Sequence, residues 1–341
     1  MSVVGAFDVH RRQLTFEYQD TSSGELKRGR VVPADRQHLR QWLARFAGQD
    51  DVHFALEGCT GWRYVAEELL AAGITPHLAE PADTAALRGK KRHAKTDKTD
   101  TRHLRVHLLA GDLPECWIPP EHVLEARAVV RLYKDLLDER GAWHQRIAAT
   151  LFHQGVPVIG SMATAEGRAA VEQVDLSPAG RQAVQTGLRQ IDRLTAELDV
   201  LRRQLGMLAR RQPGCRALRD AWFGIGPVTA VAIWAELGDV RRFASSDDVV
   251  RHTGLDITVW SSDDKGPPGR LSRQGPPLLR WALYESAKCA ARAAAPDHGY
   301  YAAVRDKRTA GLATLSVARK LARRCYHTLR ELGEEALAPA A

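Results

Sequence analysis

Two acidic residues lie within a very basic segment of the chain, RHAKTDKTDTRHL at residues 92–104. Asp97 and Asp100 are three residues apart, and this spacing puts both carboxylates on one face of a helix. A solvent-exposed helix explains the pattern, because the helix dipole favours acids near the N-terminus. A metal site that binds a phosphate chain also explains it, because the acids could bind the cation while the neighbouring Arg and Lys contact phosphate.

Two more acids stand at the ends of apolar segments. VVGAF at 3–7 leads into Asp8, and VHFALE at 52–57 ends at Glu57, just before the turn sequence GCTG. A carboxylate at a strand end is well placed to line a cleft beside a sheet. Carboxylates that converge repel one another unless a hard cation such as Mg²⁺ lies between them. Two such ions about 4 Å apart can stabilise the attacking and leaving oxygens at a phosphodiester. Taken singly, each acid is more simply a surface residue or a helix cap.

The elements that must position these acids alternate between strands and helices. Apolar and alternating runs predict strands at 3–7, 14–20, 26–32, 52–57 and 74–80, and helices at 38–48 and 62–73. A meander of strands followed by a β-α-β order predicts an α/β fold with a mixed sheet flanked by helices. From about residue 97 the pattern becomes helical.

A long helical segment follows the predicted sheet. Residues 121–153 predict one helix, and GVPVIG at 155–160 predicts a break. Apolar residues then recur with heptad-like spacing, which favours either a coiled coil between chains or a helical hairpin with the preceding helix. These positions are Val184, Leu188, Ile191, Leu194, Leu198, Leu201, Leu205 and Leu208.

A third region begins after Pro213 and Gly214. FGIGPVTAVAIWAELGDVRRF at 223–243 predicts a turn, a helix and a second turn. GIGPVTA resembles the turn of a helix-hairpin-helix unit, in which backbone N–H groups suit a phosphate, although a plain helix start explains it equally well. Residues 252–277 predict a long loop or hairpin rich in Ser, Gly and Pro.

Charge and composition indicate the class of partner. The 341-residue chain has a formal net charge of +8 and a pI of about 9.4, which favours a polyanionic partner. Residues 267–330 contain thirteen Lys and Arg but only three acids. None of the five cysteines forms a CxxC pair, so neither a zinc site nor a disulfide framework is predicted. We expect a cytoplasmic protein, because no signal peptide or membrane-spanning run is evident.

Several motifs together resemble one family of insertion-sequence transposases. FDVH at 7–10, ALEGCTGW at 55–62 and KTDKTDTRHL at 95–104 resemble the DEDD motifs of the family with a RuvC-like N-terminal domain, often called the one-hundred-and-ten family. GIGPVTA, GLDITVWSSDDK and GRLSRQGPPLLRWALYESA resemble, in that order, its second domain. The resemblance covers roughly residues 1–330.

The resemblance also implies a domain organisation. It predicts a RuvC/RNase H-like mixed-sheet catalytic domain at 1–120 and a long-helix coiled-coil linker or dimerisation region at 121–212. A mostly α-helical, serine-bearing transposase domain with a helix-hairpin-helix-like start follows at 213–330, and residues 331–341 form a tail.

The four acids correspond by position to the DEDD tetrad of the family. The resemblance implies that Asp8, Glu57, Asp97 and Asp100 are catalytic residues that bind Mg²⁺, for which Mn²⁺ can substitute.

The family pattern also contains a catalytic serine shortly after a Gly-Leu turn. Here the turn is Gly254-Leu255, and the serine falls at Ser262. The family serine is usually followed by glycine, whereas Ser262 is followed by an aspartate and preceded by Ser261. We favour Ser262 as the nucleophile, while Ser261 stays open. Ser272 is a weaker candidate for the nucleophile. The alternative roles expected of it are to contact phosphate or to cap the following helix.

The implied activity is DNA strand cutting and rejoining through a covalent phosphoserine link. The implied partners are donor and target DNA and a structured bridge RNA that guides their choice. The resemblance further implies an active site shared between protomers of a homodimer, with a tetramer in the synaptic complex and association with the nucleoid. We expect nucleic-acid contacts from Arg88, Lys90, Lys91, Arg92, Lys95, Lys98, Arg270 and Arg273.

Two other classes of function fit parts of the sequence. A structure-selective DNA endonuclease, similar to a Holliday-junction resolvase, would use the four acids to activate water and would need no serine. A nucleic-acid-binding protein without catalysis would need none of these residues, but the complete tetrad does not favour it.

Overall fold

A computed structural model describes residues 1–87, 97–157, 159–160, 162, 164–258 and 269–340, with the side chains of Asp97, Lys98 and Thr258 outside the description. The chain divides into two compact units, Met1–Ile118 and Pro119–Ala341. Within the described ranges, no helix is both long enough and apolar enough to cross a bilayer.

The first unit is an α/β domain. Its elements are β1 (Val3–Val9), β2 (Leu14–Asp20), β3 (Leu26–Val31), α1 (Arg36–Leu43), β4 (Val52–Glu57), α2 (Trp62–Ala71), β5 (Thr75–Ala79), α3 (Pro81–Leu87), α4 (Asp97–Ala110) and β6 (Glu115–Cys116). The six strands lie in the order β3-β2-β1-β4-β5-β6. β1, β4 and β5 run parallel, and the other pairings are antiparallel. The predicted mixed sheet is therefore confirmed.

One face of this sheet is packed with aromatic side chains. Phe16, Tyr18 and Phe54 from the strands meet Trp42 from α1, and the ring centroids of Phe16 and Trp42 are 4.4 Å apart. A glycine makes room for this packing, because a Cβ at Gly5 would lie 2.3 Å from the Phe54 ring. α1 and α2 cover this face, which we call the aromatic face.

The opposite face is smoother and is covered by α4. Its buried cluster contains small side chains from β1, β4 and β5 and two leucines from the helix. The members are Val4, Ala6, Ala55, Ala79, Leu104 and Leu108. We call this surface the alanine face.

The second unit is mostly helical. Its elements are α5 (Glu121–His153), α6 (Ala165–Gln173), α7 (Pro178–Arg211), α8 (Pro213–Ala221), α9 (Pro227–Leu237), α10 (Ser246–Thr253), β7 (Ile257–Thr258), β8 (Arg270–Leu271), α11 (Pro277–Ala287), α12 (His298–Lys307) and α13 (Ala310–Leu332). β7 and β8 pair antiparallel, as the hairpin alternative for residues 252–277 predicts. α9 is the central helix, because every residue from Ala230 to Leu237 is buried.

The two longest helices, α5 and α7, pack as a helical hairpin. Ile147 and Leu151 of α5 share one buried cluster with Val184 and Ile191 of α7. Much of the heptad-like stripe is therefore buried inside the chain, as the hairpin alternative predicts. Pairing of this region between chains stays a prediction.

Candidate active site

Asp8 and Glu57 lie at the same edge of the first unit's sheet. β1 and β4 are adjacent and parallel, with Phe7 opposite Leu56, so the next residue of each strand is an acid. Side chains alternate along a strand, and residues 6 and 55 face α4. By the same alternation Asp8 and Glu57 also face the side of the sheet that α4 covers. Glu57 is the last residue of β4, as predicted, and Asp8 is one residue before the end of β1.

A tight turn after Glu57 packs against the end of β1. Cys59 N donates to the carbonyl oxygen of Glu57 at 2.7 Å, and α2 begins three residues later. A Cβ at Gly61 would approach Cγ1 of Val9 to 2.8 Å. A residue with a side chain at position 61 would therefore displace the Val9 side chain, so this glycine lets the turn pack against the end of β1.

His10 is a partner of Asp8 that the sequence analysis did not identify. Its Nε2 lies 3.0 Å from Oδ2 of Asp8, and the Asp8 side chain is only 20% exposed. The signal was present in FDVH, where the two residues are two positions apart at the end of a strand. The histidine can orient the carboxylate toward a ligand.

The remaining two acids begin the helix that covers this face. Asp97 is the first residue of α4, and Asp100 lies one turn before Leu104, which packs on the sheet. The helical pattern predicted from about residue 97 is confirmed. The side chain of Asp97 lies outside the description, so only its position in the helix is established.

These acids suit a hard divalent cation. Carboxylate oxygens are the ligands that Mg²⁺ takes from proteins. Asp8 and Glu57 lie at adjacent strand ends on the alanine face, and Asp100 lies in the first turn of the helix that covers this face. Among the residues that are described, no three His, Cys, Asp or Glu side chains form a ready-made metal group. The fourth donor of the tetrad, Asp97, is not among the side chains searched.

Both candidate nucleophiles, Ser261 and Ser262, lie outside the described residues. So do five of the predicted nucleic-acid contacts, namely Arg88, Lys90, Lys91, Arg92 and Lys95. Lys98 is in α4, and its side chain is likewise undescribed. Arg270 and Arg273 are described, and they lie in the second unit.

Arg270 and Arg273 line a groove of 560 Å³ at the β7-β8 hairpin. Arg319 of α13 contributes a third guanidinium and donates from Nε to the carbonyl oxygen of Leu255 at 2.6 Å. The pKa of the Arg319 guanidinium is lowered, mainly because the side chain is partly buried. The rest of the lining is Ile257, Gly269, Leu271, Leu312 and Leu315. Three arginines beside an apolar wall suit a nucleic-acid strand, with phosphates on the cations and bases or sugars on the wall.

Ser272 holds the base of the same hairpin. Its hydroxyl donates to the carboxylate of Asp256, and its N–H donates to the carbonyl oxygen of that residue at 3.1 Å. α11 begins at Pro277 with Pro276 as its N-cap, and no side chain makes a cap hydrogen bond. The expectation that Ser272 caps the following helix is therefore wrong.

The GIGPVTA segment forms the start of α9, and it borders a cavity of 630 Å³. Gly226 is the N-cap residue, and Thr229 Oγ1 accepts a hydrogen bond from its N–H at 3.0 Å. Arg203 and Arg210 of α7 line the same cavity. The helix start is thus confirmed, and basic side chains lie beside it.

Two family models match this chain. One, described as a transposase and specific to the DEDD domain of IS110 elements, matches residues 5–153 and so includes all four acids. The other, described as the transposase IS116/IS110/IS902 family, matches residues 217–302, which contain the arginine-lined groove except for its α13 side.

Curated relatives carry transposase names. A transposase of Sinorhizobium fredii is 29% identical over 64% of this chain, and the match spans 60% of that protein's length. A family 20 transposase of Pseudomonas aeruginosa is 26% identical over 71% of this chain and 72% of its own. The transposase for insertion sequence element IS1111A of Coxiella burnetii is 21% identical over 77% of this chain and 72% of its own. With the two models matched in order, the chain belongs to the IS116/IS110/IS902 family of transposases.

Proposed function

We propose that this protein cuts and rejoins DNA strands during movement of an insertion sequence. The observation that carries the proposal is the placement of Asp8 and Glu57 at adjacent parallel strand ends. They lie on the sheet face that the Asp97–Ala110 helix covers. Family membership gives this acid arrangement its DNA substrate.

The four acids hold one or two Mg²⁺ ions, and Mn²⁺ can replace them. A bound ion supplies stabilisation of the negative charge that develops on the scissile phosphate. His10 orients the Asp8 carboxylate by the hydrogen bond between Nε2 and Oδ2. The carboxylates of Asp97 and Asp100, at the start of α4, would complete the ligand set.

The attacking group is the hydroxyl of Ser262. Its proton leaves, its oxygen forms a bond to phosphorus, and the bond from phosphorus to the leaving DNA oxygen breaks as that oxygen takes up a proton. The resulting phosphoserine link conserves the phosphodiester energy for rejoining to another strand. The acids and the serine belong to different units of the chain, and the complete site is shared between protomers of a dimer or tetramer.

The groove of Arg270, Arg273 and Arg319 holds the DNA strand that the serine attacks. Ile257 and Gly269, which lie in the chain before and after the segment that carries Ser262, both line this groove. A bridge RNA selects the donor and target DNA. The basic residues at 88–98 contact the RNA or DNA backbone.

Trapping of the covalent intermediate tests this function. The full-length protein is incubated with Mg²⁺, DNA carrying the ends of its element, and RNA transcribed from that element. We expect a protein–DNA adduct that mass spectrometry maps to Ser262. The adduct should be lost in Ser262→Ala and retained in Ser23→Ala, a serine control at an exposed turn of the first unit.

Free DNA ends without any adduct contradict the serine mechanism. Cleavage that persists in a Ser261→Ala/Ser262→Ala double variant would favour a structure-selective nuclease that activates water with the acids alone. An adduct mapped to Ser261 would move the nucleophile by one residue. Loss of cleavage after ribonuclease treatment tests the RNA separately.

A further inference from the structure

A buried ion pair joins α4 to the sheet. Glu17 of β2 is 1% exposed, and Arg105 of α4 is 7% exposed. Arg105 donates from Nε to Oε1 of Glu17 at 2.8 Å and from NH1 to Oε1 of Gln19 at 2.7 Å. The other oxygen of Glu17 accepts from Nε of Arg28, on β3, at 2.5 Å. Both carboxylate oxygens of Glu17 are therefore bound to arginines.

This arrangement fixes the position of α4 along its axis and the rotation of α4 about that axis. Glu17 and Gln19 are two positions apart on one strand, so they present their side chains on the same face about 7 Å apart along β2. A planar guanidinium has donors in a rigid fork, unlike the point charge of a lysine. A fork that reaches two acceptors along a strand restricts both the sliding of α4 along its axis and its rotation.

The apolar contacts of α4 define its axial position and its rotation much less well. Beneath Leu104 and Leu108 the sheet presents mainly alanines, among them Ala6 and Ala55. Packing classes of helices depend on ridges that fit between side chains, and small side chains form shallow ridges. Hydrophobic burial therefore keeps α4 on the sheet, but it leaves the axial position poorly determined.

Stability alone does not account for this ion pair. Burying two charges is costly, and well-packed apolar residues of similar size are often as stabilising or more so. Fixing the register of packed elements is the best-supported use of buried polar groups. A slip of one residue along a helix moves it 1.5 Å. Mg²⁺ requires near-ideal octahedral geometry, and functional sites tolerate only about 0.5 Å.

We infer that the Glu17–Arg105 ion pair is a positioning device for the metal centre. It sets the distance between the acids that begin α4 and the strand-end acids Asp8 and Glu57. This inference rests on the proposed function of the four acids. Glu17 and Arg105 are positioning residues, because they act through α4 and belong to no proposed ligand set.

The chain contains a matched control on the aromatic face. Glu68 of α2 is 2% exposed and is also bound by two arginines, with Arg40 Nε at 2.5 Å and Arg36 NH1 at 2.8 Å. Glu68→Gln and Glu17→Gln thus make the same chemical change at a buried carboxylate bound by two arginines, although Arg36 and Arg40 are far more exposed than Arg105. Only Glu17 lies beneath α4.

The test measures Mn²⁺ affinity of the full-length protein by electron paramagnetic resonance of the free ion. We expect Glu17→Gln to weaken Mn²⁺ binding about tenfold or more, as outer-shell changes at metal sites do. Glu68→Gln should change it less than about twofold. Both variants should lose thermal stability, and Glu17→Gln should lose more because it leaves the buried Arg105 without its charge partner. Arg105→Lys, which keeps the charge and loses the fork, should also weaken binding and serves if Glu17→Gln does not fold.

Equal Mn²⁺ affinities for Glu17→Gln, Arg105→Lys and the unchanged protein overturn the inference and leave the proposed function intact. If the unchanged protein and Asp8→Asn bind Mn²⁺ equally, the metal centre itself is wrong. The ion pair then has no metal centre to position, and the inference falls with the proposed function. Amide hydrogen exchange tests separately whether the ion pair holds α4 on the sheet, because exchange in residues 99–110 should then be faster in Glu17→Gln but not in Glu68→Gln. Unchanged exchange in both variants rejects it.

Discussion

The two faces of the sheet in the first unit are held by different forces. On the aromatic face, the Trp42 ring lies within 5.8 Å of Phe54 and 4.4 Å of Phe16, centroid to centroid. On the alanine face, Leu104 and Leu108 lie over small side chains, and a buried ion pair adds a directional contact. Interlocking rings supply large buried area, whereas the ion pair supplies orientation.

This difference separates stability from function within one small sheet. All four proposed metal ligands lie at strand ends or on the helix of the alanine face, and the aromatic face carries none of them. Four carboxylates near one another destabilise a fold in the absence of an ion. A thick aromatic layer on the opposite face can offset that cost without constraining the acids. Changes on the two faces should therefore affect different measurements.

The largest effect should come from the alanine face. Asp8→Asn removes the negative charge but keeps the shape, so the metal loses one ligand. We expect DNA cleavage to fall about 10³-fold, equivalent to about 4 kcal/mol of transition-state stabilisation. The melting temperature should change by no more than about 3 °C, because no large apolar contact is lost. Cleavage assays and calorimetry on the same preparation measure both.

Asp50→Asn is the control for this change. Asp50 precedes β4, which begins at Val52, and therefore lies at the opposite edge of the sheet from Glu57. It should leave cleavage unaltered. A large fall in melting temperature for Asp8→Asn would show that the acid has a structural role, and the separation of the two faces would then be wrong.

The second effect concerns the aromatic face. Trp42→Ala removes the ring that contacts Phe7, Phe16, Tyr18 and Phe54. We expect the free energy of unfolding to fall by about 3–5 kcal/mol, as for other large-to-small core changes. At a temperature where the variant is still folded, its Mn²⁺ affinity should stay within about twofold of the unchanged protein. Urea denaturation and the Mn²⁺ titration check the two statements.

Trp42→Phe separates the ring from its polar atom. Among the described residues, Nε1 of Trp42 is a buried nitrogen without a hydrogen-bond partner. Phenylalanine keeps an aromatic ring and removes this nitrogen, so the loss of stability should be well below that of the alanine variant. Weakened Mn²⁺ binding in either variant would mean that the aromatic face also sets the metal geometry.

The sequence predicted the strands of the sheet better than what covers them. Alternation in LTFEYQD and the apolar run in VHFALE predicted strands, because burial on one or both faces leaves a local signature. The same alternation marks Glu17 as polar without indicating whether water or a helix covers it. α3 and the two-residue strand β6 were not predicted, since elements this short carry little periodicity.

For the candidate site, the sequence identified the acids but not the contacts that position them. Asp8 and Glu57 follow apolar runs, and their location at strand ends is a local property. Arg105 lies in a helix segment that looks ordinary, and its partner is 88 residues away. Arg319 contributes to the groove from a helix far along the chain. Pairings at such separations depend on the folded packing, so no local pattern predicts them.

The smallest effect should appear in the pH dependence of Glu68. Hydrogen bonds from Arg40 and Arg36 lower the pKa of this carboxyl, while burial opposes them, and Glu67 shares Arg36. A carboxyl whose pKa is lowered by folding adds stability above its unfolded pKa of about 4.3 and loses it as pH falls below that value. Glu68→Gln should cost about 1–2 kcal/mol at pH 7, since the arginines are largely exposed.

The difference in unfolding free energy between Glu68→Gln and the unchanged protein should therefore narrow as pH falls from 5 toward 3. Melting curves at pH 7, 5 and 3.5 measure it. At each pH the Mn²⁺ affinity of the two proteins should remain matched, because the same ligand carboxylates on the alanine face become protonated in both. A constant stability difference across this range would contradict the role of the two arginines, since only an ionised Glu68 interacts with them as charge with charge.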